Sequence, residues 1–376
     1  MTTATKIEWA DASTNIGVGC SHCSPGCDHC YAEKFAHRLS KHPIAKKVYA
    51  GVVDEQGRWT GKINFNLSDE VYPHRVPGKS KRVFVGSMTD IFHPNYPAEN
   101  RDEIFASIMA DYILANGHGH TFIILTKRPQ AMEEYFAAGP ETLLRRWGRA
   151  GNWIIVGDGD ETFEEYADGQ TIPQEMTSPR DNLRQDYLWP LPNLWLGVTV
   201  CNQAEADAKI PLLLQTPAAK RFVSIEPMLG PVDLTSIDYP AGLIKGADES
   251  GMLDALRGLT MDDAPTHPSL DWVICGGETG PGARPMHPEW VRSLRDQCQG
   301  AAVPFFFKSW GEWTPAFYQS EGGYMVNTDT QITDGYSAKR HIFEDDPSIR
   351  MYRVGKKRAG RLLDGREYSE IPEVSK

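Results

Sequence analysis

The sequence predicts an α/β fold, a parallel (β/α) barrel or partial TIM barrel with loop insertions. Three observations carry the expectation. Short β-rich runs alternate with stretches of helical periodicity along most of the chain. The runs are continuously apolar, as in strands of a parallel sheet covered on both faces. About six to seven such strand–helix units follow one another, enough to close or partly close a barrel.

The elements follow in order. Arg82, Val83, Phe84, Val85 and Gly86 read as a buried strand, followed by a loop with Asp90 and Pro94. Residues 102–116 have helical spacing, with Ile104, Phe105, Ile108, Met109 and Ile113 on one face. A strand at 121–125 and a helix at 130–148 come next, then a strand at 194–200 and a helix at 203–214. Strands at 221–225 and 272–275, a helix at 288–299 and a strand at 304–307 complete the series. Three insertions interrupt it. Residues 42–81 contain a short strand at 62–67, and residues 235–269 are irregular and Gly/Pro-punctuated. Residues 157–190 carry Asp158, Asp160, Glu161, Glu164, Glu165 and Asp168, the composition of a solvated loop or flap. Long loops in a compact domain are functional lids or disordered. The expected division is a barrel over 1–312 and a C-terminal extension over 313–376 packing on it.

Composition sets bounds. A hydrophobic content of 40% over 376 residues supports a substantial core. No run of apolar residues is long enough to span a bilayer. A net charge of −11 argues against bulk electrostatic attachment to nucleic acid, but leaves room for a local basic groove. Basic residues gather at Lys79, Lys81 and Arg82, and again at Arg350, Arg353, Lys356, Lys357, Arg358, Arg361 and Arg366.

In parallel barrels the active site lies at the carboxyl ends of the strands. Those ends read here as Gly86-Ser87-Met88-Thr89-Asp90, Thr126-Lys127-Arg128, Thr199 with Asn202, and Ser224 with Glu226 and Pro227. The last two are Gly276-Gly277-Glu278, continuing to Arg284, and Lys308-Ser309-Trp310-Gly311. Any one could be an ordinary cap or turn. As a set, hydroxyl, charged and glycine residues at nearly every tip point to an enzyme. The loop 276–282 lacks the Lys-Ser/Thr ending of a phosphate loop and reads as a ligand-approach loop.

Cys20, Cys23, Cys27 and Cys30 crowd into eleven residues, a density that holds a metal or a metal cluster. Four-cysteine zinc sites also use Cys-x2-Cys pairs, but here only Ser24, Pro25 and Gly26 separate the pairs. Residues 1–10 are polar, without the apolar stretch of a secretory leader. Reduced thiols in the cytosol are therefore expected rather than disulfides.

The spacing Cys23-x3-Cys27-x2-Cys30, followed by Tyr31, resembles the cluster motif of radical S-adenosylmethionine enzymes. Several motifs resemble the phage-associated three-Cys-motif family, itself similar to radical S-adenosylmethionine enzymes of the spore photoproduct lyase type. They are Lys6-Ile7-Glu8-Trp9, the Cys20 to Tyr31 stretch, Gly86 to His93, Leu125-Thr126-Lys127-Arg128, Ser224 to Pro231, Gly276 to Met286, Phe305 to Gly311 and Gly355 to Gly365. The resemblance implies a barrel of the radical S-adenosylmethionine type and a 4Fe-4S cluster with three cysteine ligands. The family's cysteines match Cys20, Cys27 and Cys30, whereas the general spacing selects Cys23, Cys27 and Cys30, so the third ligand is Cys20 or Cys23.

Further expectations follow from the same resemblance. S-adenosyl-L-methionine would bind the cluster and yield a 5′-deoxyadenosyl radical for hydrogen abstraction. Ser87, Thr89 and Asp90 would meet its methionine end, with Thr199 and Asn202 further along the rim. Gly276-Gly277-Glu278 spells that superfamily's amino-group motif, but after the wrong strand. Lys127, Arg128, Glu226, Glu278, Arg284 and Lys308 are candidate catalytic or substrate-contacting residues. The implied partners are DNA or a nucleotide and an electron donor such as a flavodoxin or ferredoxin, in the cytoplasm of a bacterial host and away from any membrane. The rival reading is a zinc-stabilised nucleic-acid-binding protein without catalysis.

Overall fold

Strand after strand, the chain lays down one sheet in sequence order. The computed structural model describes residues 3–65, 72–78, 80–115, 117–151, 188–242, 250–260, 268–319, 323–326 and 339–373. The main-sheet strands are β1 (Thr3–Ala4), β2 (Ala12–Thr14), β3 (Arg82–Val85), β4 (Thr121–Thr126), β5 (Leu194–Thr199), β6 (Lys220–Ile225), β7 (Trp272–Gly276) and β8 (Phe305–Ser309). Their spatial order equals their chain order. β1 runs antiparallel to β2, and β2 to β8 form a seven-strand parallel sheet curled into a half-barrel. The expected partial barrel is therefore observed.

The strand alternation sorts the core into two compartments. Val83, Val85, Phe122, Ile124, Leu194, Leu196, Val223, Ile225, Val273, Phe305 and Phe307 point outward into a large cluster that includes the helices. α1 (Tyr31–Ser40) packs Ala32 and Ala36 into a separate cluster with Val18, Val52, Val53 and Met88, and the helices of the large cluster are α2 (Ala98–Leu114), α3 (Pro129–Phe136), α4 (Pro140–Ala150), α5 (Gln203–Gln215) and α6 (Pro288–Gly300). Phe84, Ile123, Trp195, Phe222, Trp272, Ile274 and Phe306 point the other way and pack with Trp9 inside the half-barrel. The second face is thus covered by the sheet's own aromatic side chains rather than by helices. Gly197 makes this possible, because a Cβ there would lie 2.4 Å from the Phe222 ring.

Both sheet edges are protected, as unpaired strands require. β1 covers one. At the other, Phe307 donates to Tyr368 (2.9 Å) and Glu370 to Phe305 (3.3 Å) through their backbones, so the chain's last described segment lines β8.

Several expectations need correction. The single helix over 130–148 is two, because Gly139 adopts a φ of 80° and Pro140 starts a new helix. The 235–269 insertion is not wholly irregular: strands Ile237–Tyr239, Gly251–Asp254 and Leu259–Thr260 form an antiparallel sheet that buries Ile237 and Leu253. The strand expected at 62–67 is Asn64–Phe65, paired with Gly17–Val18. Of the acidic segment 157–190, only 188–190 lie within the described residues, and Lys79 lies outside them. Beyond β8, Trp313–Gln319, Gly323–Val326, Arg340–Ile342 and Arg350–Arg353 form a further antiparallel sheet. It meets the barrel through Trp313 Nε1 donating to Ala283 O (2.7 Å) and Arg353 Nη2 to Gly280 O (2.8 Å). No helix of the described residues is long and apolar enough to cross a membrane.

Candidate functional site

Along each strand the inner face changes character. The aromatic cluster fills the half-barrel toward the amino ends of the strands. At their carboxyl ends the inward positions become Gly86, Thr199, Ser224, Glu226, Gly276 and Lys308, following the register of β5 to β8. This end is the mouth. Lys308 Nζ and Glu226 Oε1 form an ion pair of 2.6 Å there. Burial alone would lower the Lys308 pKa, but Glu226 and Glu8 raise it, so the ammonium stays charged. Thr199 is 1% exposed, and its hydroxyl has no hydrogen-bond partner among the described residues. An orphaned hydroxyl is costly unless a ligand or water satisfies it.

The four cysteines sit on the loop that follows β2, at this mouth. Ser24 caps a short 3-10 turn, Pro25–Cys27, by accepting from Gly26 N (3.2 Å), and Cys30 is the residue from which α1 starts. Two arginines fasten the loop. Arg128 Nη2 donates to Ser21 O (2.8 Å) and Ser21 Oγ (3.0 Å), and its Nη1 lies 3.7 Å from Cys20 Sγ. From the other side, Arg284 donates to Pro25 O (2.8 Å) and Asp28 Oδ2 (3.1 Å). Each arginine is itself held by a buried carboxylate. Asp90 accepts from Arg128 (3.0 Å), and Glu278 accepts from Arg284 Nη2 (2.6 Å) and Nε (2.9 Å). Beneath the loop lies Cys201: a Cβ on Gly26 would fall 2.7 Å from its sulfur. All seven cysteines are free thiols.

The loop's electrostatics favour a thiolate at Cys27 and the neutral thiol at Cys20, Cys23 and Cys201. The neighbouring Cys23 thiol, with Lys127 nearby, pulls the Cys27 pKa down to about 5 despite burial. Cys23 moves up in turn. Burial pushes Cys20 up to about 11, and Cys201 up to about 12. Burial would discharge Lys127, but Cys27, Cys30, Cys201 and Asp90 raise its pKa and keep it cationic. Among the described residues, no three His, Cys, Asp or Glu side chains converge on a point that could hold one metal ion.

The sequence-derived candidates divide into two groups. Many are committed to the protein itself. Asp90 accepts from Thr126 Oγ1 (2.8 and 2.9 Å), Phe92 N (3.0 Å) and Lys127 N (3.1 Å) besides Arg128. Ser87 Oγ pairs with Asn15, Thr89 Oγ1 donates to Gly19 O, and Asn202 caps α5 by accepting from Glu205 N. Glu278 and Arg284 serve each other and the cysteine loop. Gly277 and Gly311 let two backbones touch, since a Cβ on Gly277 would lie 2.2 Å from Trp310 O, so Gly276-Gly277-Glu278 has a packing reason. Thr199, Lys127, Glu226 and Lys308 are placed inward; Glu226 and Lys308 pair with each other, and the buried Thr199 hydroxyl has no partner among the described residues. Cys201 was not among the expected site residues, although its place two residues past β5 satisfies the strand-tip rule. Asn15, which accepts from Met88 N (2.8 Å) and orders the loop after β3, carried no signal in the sequence.

No curated protein and no solved structure matches the chain. The model of a family described as a protein of unknown function, DUF5131, matches residues 4–372, and with nearly its whole length inside that match this chain belongs to the family.

Proposed function

We propose that the protein is an iron–sulfur enzyme of the radical S-adenosylmethionine type, akin to the phage-associated three-Cys-motif family, acting on DNA or a nucleotide. The observation that carries the reading is the cysteine loop at the carboxyl mouth of a parallel half-barrel, its thiols set beside Lys127 and Arg128. The donor set fits a cluster. Four sulfurs share one loop, the Cys27 pKa is lowered toward the thiolate, and the buried Lys127 offsets thiolate charge. Cys27, Cys30 and one of Cys20 and Cys23 would hold the iron. When bound, the cluster and S-adenosylmethionine supply hydrogen abstraction through a 5′-deoxyadenosyl radical.

The chain's own residues orient, neutralise and exclude water. Arg128 and Arg284 hold the cysteine loop over the mouth. Thr199 offers an unsatisfied hydroxyl to a polar ligand, and Glu226 with Lys308 supplies charges of both signs beside it. The aromatic cluster closes the half-barrel below and keeps water out from that side. The reading implies a cytoplasmic setting and a flavodoxin or ferredoxin as electron donor.

Anaerobic reconstitution with iron and sulfide tests it. The expected product is a brown protein with three to four irons per chain that forms 5′-deoxyadenosine from S-adenosylmethionine under reduction. A colourless protein holding one zinc per chain would replace it with the zinc-stabilised reading.

A further inference from the structure

Helix α1 begins at the mouth and carries an unusual outer face. Among the described residues five large apolar side chains are exposed, and three fall within residues 31–44: Tyr31 (56%), whose hydroxyl donates to Ser87 O (2.8 Å), Phe35 (41%) and, past the end of α1, Ile44 (84%). Between and beyond them lie the exposed Lys34, Arg38, Lys41, Lys46 and Lys47. The only carboxylate in residues 31–47, Glu33, is buried and turned to His22 (2.8 Å) and Trp59 N (2.7 Å). Residues 31–47 thus carry five exposed cations and no exposed carboxylate, in a chain whose net charge is −11. The Arg38 guanidinium lies 4.5 Å from the Phe35 ring centroid, as in a cation–π pair.

The stretch meets other parts of the molecule at both ends. At the mouth, Lys34 Nζ reaches Pro281 O (3.5 Å) on the loop after β7. At the far end, Lys47 borders an open cleft of about 570 Å³, also lined by Val48, Lys62, Asn64, Phe65 and Asn100. Asn64 Nδ2 donates to Val48 O (2.8 Å) and Ala50 O (2.9 Å), and Lys62 Nζ to Ala50 O (3.3 Å), so what the cleft offers a phosphate is the charge of Lys47 and Lys62 rather than free amides.

We infer that this face is a track for single-stranded nucleic acid, running from the cleft along α1 to the mouth. The chemistry selects the occupant. Exposed rings interleaved with cations bind backbone phosphates and stack on unpaired bases. A duplex hides its base faces, and an acidic protein would match the charge without using the rings. The track's role as the substrate's path rests on the mouth being the reaction centre. Strand binding does not.

Fluorescence anisotropy with labelled oligothymidylate, as a single strand and as its duplex with oligoadenylate, tests the inference on the reconstituted full chain. The single strand should bind more tightly than the duplex. If four phosphates are neutralised, its affinity should fall about 50-fold between roughly 50 and 200 mM salt. Phe35→Ala should weaken binding about fivefold or more, and Lys46→Glu with Lys47→Glu should flatten the salt dependence. Both variants alter exposed side chains and should keep their iron. Equal binding of the duplex, no binding at the lower salt, or an unchanged affinity in Phe35→Ala would overturn the track. So would acidic flavodoxin binding in place of the strand. Cys27→Ala separates the two readings: it should lose iron and still bind the strand. A wild-type chain that takes up no iron yet binds through Phe35 would remove the catalytic reading and keep the track.

Discussion

The two ends of the half-barrel interior share the same strands and differ in almost everything else. Toward the amino ends, Trp9, Phe84, Trp195, Phe222, Trp272 and Phe306 form a closed aromatic floor. Trp9 meets Trp272 edge-on, with centroids 6.2 Å apart, and Trp272 meets Phe306 in the same way at 6.2 Å. Such contacts stabilise through buried area and ring geometry. At the carboxyl ends, two to four residues further on, the interior turns to Thr199, Glu226, Lys308 and the cysteine loop. There, ion pairs hold charged groups in place, and the Thr199 hydroxyl lacks a partner among the described residues. The difference teaches that stability and chemistry are segregated along each strand. The floor can be optimised for packing because the mouth alone must keep polar groups accessible.

Substitutions can break or sharpen this division. The largest loss is expected in the floor: Trp272→Ala should cost about 3–5 kcal/mol in urea unfolding, since Trp272 is fully buried and its Nε1 donates to Glu370 O (2.9 Å). Asp90→Ala should come next, at about 3 kcal/mol without any ligand, because it strands the half-buried Arg128 and frees the loop after β4. If Asp90→Ala is as stable as wild type, Asp90 is a ligand contact rather than the keystone of the Arg128 clamp. Lys308→Ala should cost less, about 2 kcal/mol, since Glu226 keeps some access to water.

A pH experiment refines the rim. Glu205 is partly buried, which raises its pKa, but Lys209 (2.7 Å) outweighs that and holds it below the ordinary 4.5. A depressed carboxylate contributes stability above its unfolded pKa and loses it as pH falls through the folded value. Glu205→Gln should therefore be less stable than wild type at neutral pH, with the gap narrowing below pH 4.5. A gap independent of pH would remove the charge from the argument. The smallest effect on stability, below about 1 kcal/mol, is expected for Cys27→Ala, the same variant that should abolish iron uptake. A large stability loss there would make the cysteine loop part of the framework and blur the distinction between floor and mouth.

Much of this was legible in the residues. Apolar runs at 82–86, 121–125, 194–200, 221–225, 272–275 and 304–307 all became parallel strands, because continuous β-branched and aromatic stretches bury both faces. The strand-tip rule brought Lys127, Thr199, Glu226 and Lys308 to one mouth, since parallel strands end at the same side. It missed that Asp90, Ser87, Thr89, Glu278 and Arg284 are engaged with each other, with the backbone or with the cysteine loop. Whether a polar residue at a tip is spent or open depends on partners far away in sequence. Asp28 and Arg284, for example, are 256 residues apart. The antiparallel sheet within 235–269 was hidden because its strands are only two to four residues long, too short for a period to register.

The sequence by itself determined the order of strands, the half-barrel they build and the crowding of four thiols at the start of the chain. Local periodicity and spacing carry those properties, and both are written in neighbouring residues. Only the tertiary structure decided which cysteine becomes acidic, which arginine clamps the loop and which hydroxyl is left without a partner among the described residues. It also left the rings and cations of residues 31–47 exposed beside the mouth. These depend on burial and on charges a few ångströms away in space, so no local reading of the chain contains them.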